Sequence, residues 1–451
     1  MIRTTAVTLG WLLLATSCLK TSCQAGDRWP GFLGAGASEV ATDGIPAAWS
    51  PDSIAWTTEV PGYGQSSPVI WDDRVFVTCV DGMQKERLLV VCLGLSDGKV
   101  IWTYEGVSGF QEKNSVYVSR AAPTPCVDDD GVYAYFESGD VVALDFDGKV
   151  RWTRSLTADY GEPTNRFGLA ASPVQTDDQV AILIDDPESA YLVSLQKADG
   201  SVAWKTDRGE RGGWSSPFVV MVEGEPQIVC SSSGSVDGYD PGTGKLLWTF
   251  ADVGGNTATT PIDAGDGTFL VAASPGRGGE NTESAKKSNG LMKIARDGDG
   301  WKADFVWRTK DATPSFASPV LHNGYAYWIS RAGMYCIDAT DGSTAYRQRL
   351  ESSWATPIGV GDQVWLFGKD GLTTVIRSGD TFEVVSKNPL WSDERPPVNN
   401  LPAADNSSPE RAAASAGFSN PVLYGAAVVN GRLVLRSGSQ VYCVATGGAP
   451  K

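Results

Sequence analysis

TPCVDDDGVYAYFESGDVVALDFDGKVRW, residues 124–152, is the clearest copy of a unit that recurs along the chain. The unit opens with a small polar residue, a proline and an apolar residue, followed by a turn rich in Asp and Gly. Two β-rich runs come next, and the turn Asp147-Gly148-Lys149 then leads to a strand that ends at Trp152. Apolar runs of this length between turns predict strands, and four strands in roughly 40 to 50 residues predict one blade of a β-propeller.

The unit occurs eight times, and each copy is marked by its opening proline and, in most copies, by a closing aromatic residue. The opening prolines, which lie 38 to 64 residues apart, are Pro68, Pro125, Pro173, Pro217, Pro261, Pro319, Pro357 and Pro421. The closing aromatics are Trp102, Trp152, Trp204, Trp248, Trp307, Tyr346 and, in degenerate form, Phe382. The repeat therefore predicts an all-β protein, an eight-bladed β-propeller with four-stranded antiparallel blades.

The eighth copy is incomplete. It begins at Pro421 and runs through Val441-Tyr442-Cys443-Val444, but the turn and the aromatic-ended strand are missing. A matching strand, Ile54–Thr58 with Trp56 at its centre, precedes the first complete copy. We predict that this N-terminal outer strand completes the C-terminal blade, which closes the ring and removes exposed sheet edges. Residues 26–451 are then expected to form a single domain.

The N-terminus has the features of a secretory signal peptide. Arg3 precedes an apolar run from Ala6 to Ala15 that is too short to span a bilayer, and small residues follow. We predict a signal peptide over residues 1–25, with a lipoprotein-type alternative in which Cys18 is lipidated. The mature protein is then periplasmic or extracellular, either free or held at the outer membrane through Cys18, and has no transmembrane segment.

The charge balance restricts the partners. The chain has 37 basic and 53 acidic residues and a net charge of −16. Such a field repels nucleic acid and anionic lipid surfaces, so neither is an expected partner.

Six cysteines lie beyond the predicted signal peptide, and three of them, Cys92, Cys336 and Cys443, share one position of the repeat; the others are Cys79, Cys126 and Cys230. Most fill positions that other blades give to small or branched apolar residues, so we predict buried free thiols and no metal site. Only Cys79 and Cys92 flank one hairpin, and a disulfide between them stays open as an alternative.

His322 is the only histidine, and the repeat places it in a surface turn between two strands. We therefore expect a solvated side chain with no catalytic role. A single histidine also argues against hydrolysis by a Ser-His pair and against a His-rich zinc site.

The endings Asp97-Gly98-Lys99-Val100-Ile101-Trp102 and Gly242–Trp248 resemble the tryptophan-docking repeat of the pyrroloquinoline-quinone (PQQ)-like propeller family. This family contains the quinoprotein dehydrogenases and the non-enzymatic BamB-like outer-membrane assembly factors, and the chain is most similar to the latter. The resemblance covers about residues 49 to 445. It implies that the closing aromatic of one blade docks against its neighbour, a role that falls here to Trp56, Trp102, Trp152, Trp204, Trp248, Trp307 and Tyr346.

Insertions collect in the connections that share one face of a propeller, which is typical of a binding face. The largest lie at 105–120, 155–169, 274–289 and 386–418. The residues predicted to surround the channel mouth on this face are Gln65, Arg120, Arg166, Trp214, Asn256, Arg331, Trp354, Lys369 and Arg436. The cations among them favour an anionic ligand or an acidic peptide. The alternatives are polar groups that hold channel water and, for Trp214 and Trp354, packing between blades.

Three functions remain open at this stage. The resemblance to BamB-like factors implies a non-catalytic scaffold, a monomer that binds a protein partner of the cell envelope or a small anionic or carbohydrate ligand. A PQQ-dependent alcohol or sugar dehydrogenase, with PQQ and calcium as cofactors, is the first alternative. A carbohydrate-binding or sensor propeller is the second. The chain has no adjacent cysteines and no Cys-x-x-Cys-His segment, so no catalytic, cofactor or metal residue is carried over from the dehydrogenases, and no cofactor is expected.

Overall fold

The computed structural model describes residues 28–40, 44–82, 84–110, 120–165, 167–276, 279–312, 314–331, 333–392, 394, 396–397, 408–409 and 421–446. The strands in these ranges form eight sheets, each built on a four-stranded antiparallel meander, which are the blades of a β-propeller. The predicted fold class is therefore confirmed. The predicted signal peptide, Cys18, Arg166 and most of the 386–418 connection lie outside the described residues.

Each blade is a meander of four strands, ordered from the channel outwards. Blade 1 contains β4 (Val69–Trp71), β5 (Arg74–Asp81), β6 (Arg87–Gly94) and β7 (Val100–Val107). Blade 2 contains β8 (Cys126–Asp128), β9 (Gly131–Tyr135), β10 (Asp140–Leu144) and β11 (Val150–Ser155). Blade 3 contains β12 (Val174–Gln175), β13 (Gln179–Ile184), β14 (Ala190–Gln196) and β15 (Val202–Gly209). Blade 4 contains β16 (Phe218–Val222), β17 (Glu225–Ser232), β18 (Ser235–Tyr239) and β19 (Leu246–Phe250).

The second half of the ring repeats this order. Blade 5 contains β20 (Ile262–Gly265), β21 (Thr268–Val271), β22 (Gly290–Asp297) and β23 (Gly300–Arg308). Blade 6 contains β24 (Val320–His322), β25 (Tyr325–Ser330), β26 (Gly333–Asp338) and β27 (Thr344–Gln348). Blade 7 contains β28 (Ile358–Val360), β29 (Gln363–Phe367), β30 (Leu372–Arg377) and β31 (Val384–Pro389). Blade 8 contains β32 (Gly425–Val429), β33 (Arg432–Ser437), β34 (Gln440–Ala445) and, as its outer strand, β3 (Trp56–Glu59).

Other described elements are short. They are β1 (Arg28–Trp29), β2 (Glu39–Val40), the 3₁₀ turn Pro51–Ser53, α1 (Leu156–Tyr160) and α2 (Thr282–Ala285). Neither of the two α-helices in the described part of the chain has the length and apolar character that crossing a membrane requires.

The hydrophobic core lies between the blades. The middle strands β5 and β6 are buried along almost their whole length, whereas the outer strand β7 alternates between partly buried and exposed residues. One apolar cluster joins blade 1 to blade 2 through residues such as Phe76 and Ala134, and the next joins blade 2 to blade 3 through Tyr133 and Ile182. Strands covered on both faces need continuous apolar runs, which explains the apolar middle strands of each repeat.

Five tryptophans connect one blade to the next by the same contact. The indole N–H of Trp102, for example, donates to the Phe146 carbonyl in blade 2 at 2.8 Å, and its ring lies on Gly148. A Cβ at Gly148 would lie 2.7 Å from the Trp102 ring, and its φ of +80° is one that L side chains rarely adopt. The same pairing joins Trp56 to Gly98, Trp152 to Gly200, Trp204 to Gly244 and Trp307 to Gly342.

The remaining two aromatics behave differently. The Trp248 indole donates to the Gln227 side chain of its own blade at 2.7 Å, and the corresponding turn glycine of blade 5, Gly298, has open space around it. Tyr346 packs edge-on against Phe382 of blade 7, with 5.8 Å between ring centroids. Trp248 still stacks on Phe269 of blade 5, with 6.3 Å between ring centroids, so both aromatics pack against the next blade and only the contact with a turn glycine is missing.

The ring closes as the sequence predicts. β3 pairs antiparallel with β34, which places Trp56 opposite Cys443, and the Trp56 indole donates to the Leu95 carbonyl of blade 1 at 3.0 Å. The first and last parts of the chain thus share blade 8.

The segment that precedes β3 crosses the channel, which the sequence analysis did not predict. β1 adds to the channel side of β4 in blade 1, and β2 adds in parallel to the channel side of β28 in blade 7. Between them, the Pro30 carbonyl accepts a hydrogen bond from Val127 of blade 2, and Leu33 packs into the apolar cluster of blades 5 and 6. We call residues 28–40 the crossing segment.

Ionic contacts place the crossing segment at one end of the channel. Arg28 bonds Asp72 and Asp129, which follow the inner strands of blades 1 and 2. At its other end, Glu39 lies 3.0 Å from His322 Nδ1, and His322 Nε2 contacts the Gly361 carbonyl at 2.8 Å. The expectation of a solvated His322 is therefore wrong, because the crossing segment covers this turn and leaves the side chain 6% exposed.

The six described cysteines are buried free thiols. Cys79 lies opposite Leu89 and Cys92 opposite Phe76, so the two do not face each other and the alternative of a disulfide is removed. Burial raises the pKa of the Cys126 thiol to about 12, and Cys230 behaves in the same way.

We predict that the glycine under a docking tryptophan contributes to stability in two ways, by its positive φ and by the absence of a side chain that would clash with the indole ring. Gly244→Ala places a Cβ against Trp204, whereas Gly298→Ala meets open space at a similar positive φ. Both substitutions carry the conformational cost of about 1 kcal/mol, and overpacking adds about 2 kcal/mol for Gly244→Ala alone. Urea unfolding of the two variants measures the difference, and equal losses of stability would contradict the docking contact.

Candidate binding face

The mouth of the channel lies at the end opposite the crossing segment. The connections between blades and the turns between the second and third strands of each blade meet there, because each blade is a four-stranded meander. Of the predicted residues, all but Arg166 are described, and they fall into three groups around the mouth.

The first group is a row of aromatic side chains from blades 6, 7 and 8. Phe316 precedes the inner strand of blade 6 and lies edge-on to Trp354 of blade 7 at 5.9 Å between centroids. Trp354 lies 6.0 Å from Tyr424 of blade 8, and Tyr424 lies 6.1 Å from Tyr63. Phe316 is 44% exposed, so the row presents apolar surface to solvent at the mouth.

Of the predicted cations, Lys369 contacts this row, and Arg331 bonds the insertion of blade 5. The Lys369 ammonium lies 4.6 Å from the centroid of the Trp354 ring, and partial burial lowers its pKa. Arg331 is exposed and donates to the Gly276 carbonyl at 3.3 Å. A ligand at the mouth would therefore meet aromatic and cationic groups together.

The second group, formed by Gln65, Arg120 and Arg436, lies beneath the surface. Arg436 is fully buried, and its guanidinium bonds the Gly438 carbonyl at 3.0 Å and the Cys79 sulfur at 3.2 Å. Arg120 is 2% exposed, and its backbone N–H donates to the Gln65 side chain. Both arginine side chains are buried beneath the surface of the mouth and are almost inaccessible to solvent.

Above these arginines, the hydroxyls of Tyr63 and Tyr424 lie 2.6 Å apart. Burial raises the pKa of both phenols, and the charges of Arg120 and Arg436 oppose that rise. Both tyrosines are therefore protonated at neutral pH and form a neutral polar pair at the end of the aromatic row.

The third group is a buried network of carboxylates and arginines in blades 3 and 4. Arg208 lies 3.6 Å from Asp185 and 3.3 Å from Asp237, and its side chain is inaccessible to solvent. Arg211 forms an ion pair with the same Asp237, and Ser232 donates to Asp185 at 2.5 Å. Burial raises the pKa of Asp185, while the neighbouring Arg208 acts in the opposite direction.

A β-bulge explains how Arg208 reaches this network. The register between β14 and β15 pairs Ala190 with Gly209 but Tyr191 with Asp207, so Arg208 has no partner across the strands. Bulges commonly re-aim one side chain, and here the guanidinium turns inwards to the carboxylates.

Asn256 and Trp214 complete this side of the mouth. The Asn256 amide is fully buried and donates to the Ser232 and Ser235 carbonyls at 2.6 and 2.9 Å. The Trp214 indole donates to the Gly168 carbonyl at 3.0 Å and lies edge-on to Phe167 in the connection that precedes blade 3. Trp214 therefore packs between blades, one of the two alternatives considered for it.

The carboxylates Asp185, Asp186 and Asp237 at the mouth already have hydrogen-bond or ion-pair partners. Asp185 and Asp237 bond arginines, and Asp186 accepts hydrogen bonds from Thr164 and Asn165, which hold its pKa low although burial opposes this. Within the described ranges, no three His, Cys, Asp or Glu side chains are close enough to hold a metal ion. This arrangement does not fit the calcium and the Asp base that the dehydrogenase alternative requires.

The sequence analysis missed Tyr63, Tyr424 and the Arg208 network. In blade 8, the opening residue Pro421 does not directly precede the inner strand. That strand begins at Gly425, four residues after Pro421, so Tyr424 contacts Trp354. The aromatic residue at position 424 could have predicted a contribution to the mouth. The bulge at Arg208 has no recognisable sequence pattern.

A model of the family described as outer membrane protein assembly factor BamB matches three overlapping stretches of the chain, residues 47–183, 164–305 and 291–441. The chain belongs to this PQQ-like propeller family. A comparison with curated proteins gives no match.

Solved structures share the architecture of this BamB family member. BamB from Moraxella catarrhalis is 14% identical with a TM-score of 0.57, over 88% of this chain and 98% of that one. The quinohemoprotein alcohol dehydrogenase of Comamonas testosteroni is 14% identical with a TM-score of 0.59, over 95% and 82%. The quinohemoprotein alcohol dehydrogenase ADHIIG of Pseudomonas putida HK5 is 13% identical with a TM-score of 0.60, over 94% and 81%. At identities this low, the structural match establishes a common fold, and function has to be argued from the residues of the site.

We predict that the Asp185–Arg208 pair is structural. Asp185→Asn keeps the shape of the side chain but removes the charge next to a buried guanidinium, so we expect a loss of about 2–3 kcal/mol in unfolding free energy. Asp177→Asn, in an exposed turn of the same blade, is the control and should stay within about 0.5 kcal/mol of the wild type. Equal unfolding curves for Asp185→Asn and the wild type would show that the network adds no stability.

Proposed function

We propose that this protein is a non-catalytic binding propeller, exported to the cell envelope, that holds a protein partner at the mouth of its channel. The observation that carries this proposal is the partly exposed aromatic row of Phe316, Trp354 and Tyr424, set among insertions at the end opposite the crossing segment. Aromatic residues with flanking cations are typical of the centre of protein interfaces.

The paired state of the carboxylates supports a binding role over a catalytic one. A general base or a metal ligand at the mouth would require a carboxylate that is accessible and not bound to an arginine. Asp185 and Asp237 are instead buried and bonded to Arg208. The family model adds a specific candidate for the process, the assembly of outer-membrane proteins.

We predict that Trp354→Ala weakens partner binding. Tagged protein would be used to capture partners from an envelope extract, with an outer-membrane assembly component as the expected partner. Loss of a central interface tryptophan costs about 2 kcal/mol or more, which corresponds to about 30-fold in affinity.

Trp301→Ala is the matched control, because Trp301 lies on the outer strand of blade 5, where Arg296 covers its ring at 3.7 Å. This variant should retain binding. If the wild type recovers no assembly component, a role in outer-membrane protein assembly is excluded. If Trp354→Ala recovers as much partner as the wild type, the mouth is excluded as the binding site.

We further propose that the protein works without a quinone. We expect that incubation with PQQ and Ca²⁺, followed by gel filtration, leaves no quinone absorbance on the protein and no dye reduction with alcohols or aldoses. Stoichiometric retention of the quinone with dye reduction would favour the dehydrogenase alternative instead.

A further inference from the structure

A cleft of about 350 Å³ lies outside the mouth, on the rim of blade 3. It opens on the same face of the propeller as the mouth. The side chains that matter here are Tyr160, Glu188, Tyr191, Lys205, Asp207 and Glu210. The mouth and the proposed partner binding use none of them.

Local structure builds the cleft from two blades. α1 follows the outer strand of blade 2, with Ser155 as its N-cap, and brings Tyr160 next to blade 3. Tyr160 lies edge-on to Tyr191 of β14, with 5.2 Å between ring centroids. The bulge that turns Arg208 inwards leaves Asp207 exposed at the rim of the cleft.

A single ammonium covers one face of each tyrosine ring. The Lys205 ammonium lies 4.8 Å from the Tyr191 centroid and 5.2 Å from the Tyr160 centroid, and it forms an ion pair with Asp207. A sugar ring needs a free aromatic face on which to stack, so this arrangement disfavours a carbohydrate.

The remaining polar groups of the cleft are acceptors for a cation. Within the described parts of the chain, neither Glu188 nor Glu210 forms an ion pair, and Tyr191 makes no hydrogen bond through its hydroxyl although its side chain is only 6% exposed. Three carboxylates face one ammonium in the cleft, so its field attracts positive charge. Asp185 and Asp237 at the mouth differ, because arginines neutralise them.

We propose that this cleft receives an arginine or lysine side chain from a basic peptide segment, with Glu188, Glu210 and the Tyr191 hydroxyl accepting its N–H groups. Arginine fits best, because its guanidinium presents five donors in a planar fork and so matches several acceptors at once. Carboxylate acceptors give charge-assisted hydrogen bonds, which are the stronger kind.

The test uses fluorescence anisotropy with a labelled hexapeptide of alternating glycine and arginine. A second peptide carries citrulline, the neutral isostere, in place of arginine. We expect the wild-type protein to bind the arginine peptide. The citrulline peptide should bind at least about tenfold more weakly. Equal binding of the two peptides, or no binding of the arginine peptide, would overturn the proposal.

Two sets of variants locate the site. Glu188→Gln combined with Glu210→Gln should weaken binding of the arginine peptide about tenfold, and Tyr191→Phe about threefold. Asp177→Asn combined with Asp178→Asn makes the same change in charge in an exposed turn at the opposite end of blade 3 and should change affinity by less than about twofold. An equal loss in both double variants would indicate attraction to net charge alone and contradict a cleft site.

Two further measurements separate this site from the alternatives. Trp354→Ala should leave peptide binding unchanged, so failure of the mouth proposal and failure of the cleft proposal are distinguishable. Displacement of the arginine peptide by a neutral oligosaccharide would assign the cleft to a carbohydrate and overturn the proposal.

Discussion

The contact between a tryptophan of one blade and a turn glycine of the next is the interaction on which the propeller depends. It combines a hydrogen bond to a backbone carbonyl with a flat ring over a residue that has no side chain, as for Trp102 on Gly148. The glycine therefore serves twice, because its turn needs a positive φ and its neighbour needs the space. Repeating the contact fixes the angle between blades, and this angle decides which residues meet at the mouth.

The groups at the mouth and on its rim differ in how their charges are balanced. The carboxylates Asp185 and Asp237 are buried against Arg208. Removing one partner of a buried ion pair destabilises a protein strongly, although the intact pair adds little net stability. The two carboxylates are better understood as fixed supports than as reactive groups. The aromatic row and the rim cleft keep accessible surface, which is why the two proposed binding sites lie there.

The sequence predicted the fold well because the repeat marks every blade with a proline, a turn and an aromatic, and because the missing strand of the last copy points to Trp56. It predicted the site less well. A one-residue bulge turns Arg208 inwards, and a late start of β32 brings Tyr424 to the mouth, and neither event breaks the repeat pattern. His322 was misplaced because its burial depends on Glu39, which is distant in sequence and outside the repeat.

The crossing segment and β3 have a consequence for the order of folding. The crossing segment pairs with the inner strands of blades 1 and 7, and β3 pairs with the last strand, β34, so neither can complete its pairing until the C-terminal repeats are present. Pairing between the two ends of a chain forms slowly, and unpaired strands are prone to aggregation in the interval. Ring closure is therefore the final step, and an open ring with unpaired edge strands precedes it.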